Sequence, residues 1–137
     1  MPMKKILFLT LLSLFLLTGM EARAQRIENG SRSTIAYIQS DGRIENSSRS
    51  TIGYFNGNRV ENASRSTIGY ISNGQFENSS RSTIGYLNGD RVENASRSTI
   101  GYVKDGRVEN ASRSTIGYYP ASMRPDWVAY YFFFFAK

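Results

Sequence analysis

The chain of 137 residues contains neither cysteine nor histidine, which excludes disulfide staples, a thiol nucleophile, an ordinary Ser–His triad and the usual zinc ligands. Its 17 basic and 11 acidic residues give a net charge of +6, a mild excess that reads as a solvated, mixed-charge surface and not as a nucleic-acid footprint.

Residues 1–24 read as a signal peptide. Lys4 and Lys5 precede the apolar run ILFLTLLSLFLL (6–17), and ARA (22–24) is a small-x-small cleavage pattern. The run is too short to cross a bilayer as a helix. Cleavage after Ala24 would leave 14 basic and 10 acidic residues on a chain long enough for one small domain. Export is expected, to the periplasm, the cell surface or the medium.

Residues 25–119 repeat one sentence. Tyr37, Tyr54, Tyr70, Tyr86, Tyr102 and Tyr118 recur at a spacing of 17 and then 16 four times, the signature of units stable only against their neighbours. Each unit predicts a short β-hairpin. Asn73-Gly74 and Asp105-Gly106 suit a type I′ turn; Gly57-Asn58 and Gly89-Asp90 suit type II′. If the turn type switches, the register stays. Phe55 then faces Val60, Ile71 faces Phe76, Leu87 faces Val92, and Val103 faces Val108. The longer first unit fits a three-residue tip with Gly42 in the left-handed region, which sets Ile38 opposite Ile44. Tyr54 falls opposite Glu61 and Gly53 opposite Asn62. Ile52, Ile68, Ile84 and Ile100 are expected on the tyrosine face, so both faces of each ribbon are expected to be partly covered.

NASRS segments link one ribbon to the next, with Asn and Ser making turns through side-chain hydrogen bonds. The recurring Asn-x-Ser is therefore read as turn chemistry and not as a glycan acceptor. Each link carries one Arg with a Glu four residues before it, which predicts a ring of equivalent ion pairs acting mainly on register and solubility. RIEN (26–29) is the second half of a hairpin and STIGYY (114–119) the first half. Their pairing would close the array and remove its open edges. The fold class expected is all-β: a closed radial array of short antiparallel hairpins, flower- or propeller-like, with five full 16–17-residue repeats and two complementary halves. Closure is open between five-fold and six-fold.

Residues 120–137 form a connector and an aromatic tail, VAYYFFFF (128–135). Composition reads the tail as strand-forming, and exposed it would aggregate. Three placements compete: a buried strand or plug in or under the ring, a segment docking onto a membrane or partner, and an outer-membrane sorting signal. It is too short for a transmembrane helix.

The repeats GRIENSSRSTIGY, NRVENASRSTIGY and GRVENASRSTIGY, with the leader and the aromatic tail, resemble the five-fold beta-flower proteins, small exported proteins of Bacteroidota. The resemblance implies a closed ring of short antiparallel hairpins in the envelope or outside the cell. It brings no activity and no site residues.

No phosphate loop, metal-ligand spacing or nucleophile–base set is present in the sequence, and its repeated glutamates are copies of one another, whereas an acid–base pair needs two different environments. The expected function is a non-catalytic structural or binding module of the bacterial envelope, without cofactor or metal. Its ligand would be a carbohydrate or other envelope component, met through repeated loops by Tyr54, Tyr70, Tyr86, Tyr102, Arg49, Arg65, Arg81 and Arg97. The alternative is association with a membrane or partner through the tail. An open, tyrosine-lined axis would favour binding; a filled axis would favour a scaffold.

Overall fold

The computed structural model describes residues 25–136. Twelve strands and a short C-terminal helix are present: β1 (Arg26–Asn29), β2 (Thr34–Ile38), β3 (Arg43–Asn46), β4 (Thr51–Asn56), β5 (Arg59–Asn62), β6 (Thr67–Ser72), β7 (Gln75–Asn78), β8 (Thr83–Asn88), β9 (Arg91–Asn94), β10 (Thr99–Lys104), β11 (Arg107–Asn110), β12 (Thr115–Tyr118), α1 (Pro125–Tyr130), and a π-helical turn over Tyr131–Phe135 that continues α1. The expected signal peptide lies outside the described residues.

The strands form one closed antiparallel barrel in which each pairs with its neighbours in sequence and β1 pairs with β12. The hairpin registers follow the tip pairing: Phe55 opposite Val60, Ile71 opposite Phe76, Leu87 opposite Val92, Val103 opposite Val108, and Ile38 opposite Ile44. The turns hold this register despite their different sequences. Asn73 and Gly74 both have positive φ (52° and 76°), as type I′ requires; at Gly57 only the glycine does, at 61°, as in type II′. In the first ribbon Gly42 takes φ 97° and closes a three-residue tip between Gln39 and Arg43.

The seam repeats the same pairing. Glu28 faces Tyr118 and Asn29 faces Gly117, as Glu61 faces Tyr54 and Asn62 faces Gly53. Closure is therefore six-fold, with five continuous hairpins and a sixth assembled from the two halves.

The links are themselves tight hairpins, so adjacent ribbons join edge to edge by hydrogen bonds. The Asn62 N–H donates to the Ser66 carbonyl (2.9 Å) and the Arg65 N–H to the Asn62 carbonyl (3.0 Å), the same two bonds that close the Gly42 tip. The Asn62 Oδ1 accepts from the backbone N–H of Ser64 and of Ser66, both at 3.0 Å. All six link asparagines make this pair of bonds. After each link the register shifts, as between Val60 and Glu61, and leaves the isoleucine of the next strand (here Ile68) unpaired in a bulge. The isoleucines are half-buried and pack against the core.

The barrel is filled. Tip residues such as Phe55, Val60, Phe76 and Val92 point inward, and Val128, Ala129, Tyr130, Tyr131 and Phe133 of the C-terminal helix lie buried among them. The tail is thus helical, where its composition reads as a strand. The closed wall offers an inner segment no edge to pair with. A helix satisfies its backbone groups internally, as burial demands.

Five of the six STIGY-type repeats bring one glycine each to the inner wall, and each meets one tail ring: Gly53 meets Phe135, Gly69 Tyr130, Gly85 Phe134, Gly101 Phe133, and Gly117 Phe132. The remaining repeat has Ala36, and Tyr131, flanked by Phe132 and Phe135, is the remaining ring. Successive Phe132, Phe133 and Phe134 meet successive repeats around a ring of six, about 60° apart, whereas an α-helix advances about 100° per residue. The wider π-turn, closed by the Ala136 N–H on the Tyr131 carbonyl (3.0 Å), winds less per residue and suits this match.

Candidate functional site

With the axis filled, the tyrosines stand on the outer wall, alternating with the inward glycines and tip residues. Each carries a guanidinium over its ring: Arg32 over Tyr118, Arg49 over Tyr37, Arg65 over Tyr54, Arg81 over Tyr70, Arg97 over Tyr86, and Arg113 over Tyr102, at 3.5–3.7 Å from the ring centroid. The eight sequence-predicted residues are thus brought together as stacked pairs, with Arg49 on Tyr37, a partner outside the predicted set, and with Tyr102 under Arg113.

The same arginines bind the glutamate four residues earlier, at 3.0–3.2 Å, as the spacing predicts. Each holds the place in its link that Gly42 holds in the first tip, and so adopts φ of 68–70°, a left-handed conformation that costs a non-glycine residue roughly 1–2 kcal/mol. The stack and ion pair recover part of this, at about 0.5–1 kcal/mol for an exposed cation–π contact. Arg65→Gly, which relieves the strain and loses the contacts, is expected to stay within about 0.5 kcal/mol of the parent; Arg65→Ala keeps most of the strain and should lose about 1–2 kcal/mol in chemical denaturation. Equal losses for the two variants would remove the strain argument.

A second arginine was not foreseen. Arg26, Arg43, Arg59, Arg91 and Arg107 each lie two residues before a glutamate on one strand and reach its other oxygen at 3.3–3.7 Å. The i, i+2 spacing of R-x-E on a strand, which puts both side chains on one face, was the available signal. Gln75 holds this place in the remaining repeat and donates instead to the Thr83 hydroxyl at 2.6 Å.

Glu45 shows how the station sets its own charge. Burial pushes its carboxyl up, but hydrogen bonds from Arg49 and Gln39 and the charges of Arg43 and Arg49 together outweigh burial and hold it below the ordinary carboxylate value. In the core, burial pushes the Tyr130 and Tyr131 phenols up. A depressed carboxyl contributes stability above its unfolded value, lost as pH falls through the folded one. A raised phenol contributes stability below its unfolded value of about 10, lost as pH climbs through the folded one. Alkaline unfolding is therefore expected to begin above pH of about 10, and Tyr130→Phe/Tyr131→Phe should move its midpoint upward. An unchanged midpoint by circular dichroism would clear the two phenols of that role.

The outer wall is grooved between stations. One groove, of about 760 Å³, is bounded by Tyr102, Tyr118, Tyr119, Arg32, Arg107 and Arg113 among others. A smaller counterpart of about 350 Å³, with Arg43, Tyr54, Phe55 and Arg65, occupies the related position on β3 and β4. Among the described residues no group of acidic side chains is arranged to hold a metal ion, and no helix is long and apolar enough to cross a membrane.

No curated protein and no solved structure matches the chain. The family described as "5-fold beta-flower protein" matches residues 24–136, nearly the whole of the repeat array and its aromatic plug, and the chain belongs to that family.

Proposed function

We propose that the protein is a non-catalytic module exported to the bacterial envelope, a rigid plugged barrel that binds carbohydrate on its outer wall. The observation that carries this reading is the belt of six near-identical Arg–Tyr–Glu stations around a filled axis. A filled axis favours a scaffold, and the repeated stations supply the polar and aromatic edges that suit sugar contacts. Each station glutamate is ion-paired with the arginine four residues on, which favours no acid–base division of labour. Docking through the tail would require rings packed on the barrel glycines to leave the core, so that alternative is the weaker one. A glycan array together with a peptidoglycan pull-down tests the binding role. Retention of at least one sugar ligand is expected, and blanks in both would end it.

A further inference from the structure

The six stations differ in charge. In five of them a glutamate lies between two arginines, one on each carboxylate oxygen, so the triad carries a net +1. The glutamates in these triads are at most 16% exposed, while their arginines are 46–65% exposed. The excess positive charge therefore faces solvent. In the sixth station Gln75 replaces an arginine, and Glu77 and Arg81 cancel at 3.0 Å.

The order of strands makes these charges contiguous. Starting past β7, the stations of Glu93, Glu109, Glu28, Glu45 and Glu61 follow one another through the seam, and the neutral station of Glu77 is the single gap. Neighbouring stations are two strand spacings apart, which sets them about 10 Å apart along the wall. The groove of about 760 Å³ lies beside the middle of this arc, at Tyr118 and Arg32.

Resting on the carbohydrate-binding role above, we infer that the ligand is a linear acidic polysaccharide with one anionic group per disaccharide, bound along this arc across several stations at once. The covered tyrosines decide against single-stranded nucleic acid: one face of each ring already carries a guanidinium, which removes the stacking platform that single strands use. Each contact is weak and exposed, so affinity arises from linking several of them on one chain.

The test is titration of the purified protein with hyaluronate oligosaccharides of increasing length, which alternate a uronate with a neutral sugar. Neutral chito-oligosaccharides of equal length and single-stranded DNA serve as comparison probes, all at one ionic strength. Hyaluronate affinity is expected to climb about tenfold or more from tetrasaccharide to decasaccharide and to fall with added salt. The neutral chains should bind at least about tenfold more weakly. Arg107→Gln copies a residue this fold already accepts at Gln75, and should weaken decasaccharide binding about threefold to fivefold. Gln75→Arg fills the gap and should tighten binding of chains long enough to reach it. Affinity that is flat with length, neutral chains binding as tightly as hyaluronate, or DNA binding more tightly would each overturn the inference. Binding of neutral chains alone would leave the carbohydrate role standing, whereas blanks for every sugar would remove both.

Discussion

Phe133→Ala is expected to lower the unfolding free energy by about 3–5 kcal/mol. Phe133 is 6% exposed and its ring lies on Gly101 at the inner wall. It comes from a five-residue π-helical turn whose position is fixed by its neighbours in the barrel, so little collapse into the void is available, the condition under which a large-to-small change costs most. A domain of this size holds about 5–15 kcal/mol in total, so the variant should sit near its folding limit. Urea denaturation followed by near- and far-ultraviolet circular dichroism reads the change. A loss below about 1 kcal/mol would mean that the tail does not fill the barrel as described.

Gly101→Ala should destabilise the barrel from the opposite side. A methyl group there would run into the Phe133 ring and lie 2.5 Å from the Glu109 carbonyl oxygen. The ring can shift, but the carbonyl belongs to the paired strand, where Gly101 faces Asn110. Overpacking of this kind costs roughly 1–3 kcal/mol. Gly57→Ala provides the control: nothing lies within 4 Å of its added methyl, and φ 61° alone opposes it. Pairing Gly101→Ala with Phe133→Leu separates the two contacts. Coupling of about 0.5–3 kcal/mol marks the ring as the obstacle, and simple additivity marks the carbonyl.

The ribbon geometry was legible because turn chemistry and side-chain alternation agree at every tip. Gly57-Asn58 and Asn73-Gly74 place the same pairs opposite each other by different turn types, and the two terminal halves announce their own seam. Six-fold closure follows once they pair, with five uninterrupted hairpins and a sixth made from the ends. The tail was misread for a physical reason. In YYFFFF every residue is aromatic, so no periodicity separates helix from strand, and bulk propensity favours the strand. Its key lay elsewhere, in the glycines of IGY against the alanine of IAY. The link arginines were read as ion-pair partners, which they are, but their left-handed backbone runs against residue preference. The bulges at the isoleucines escaped because strict alternation cannot register an extra residue. The mutual stacking of the tyrosines and arginines went unread, since it depends on that backbone.

The plug comes after all twelve strands in chain order. A nascent chain therefore carries every ribbon before it carries the hub around which they gather, and a ring without its hub has lost much of its apolar interior. Settling must wait for the tail, and a product cut short before Trp127 lacks the rings that fill the barrel. Arrival of the plug thereby becomes a condition of the ring's shape, which keeps the growing chain loose until the tail has been made.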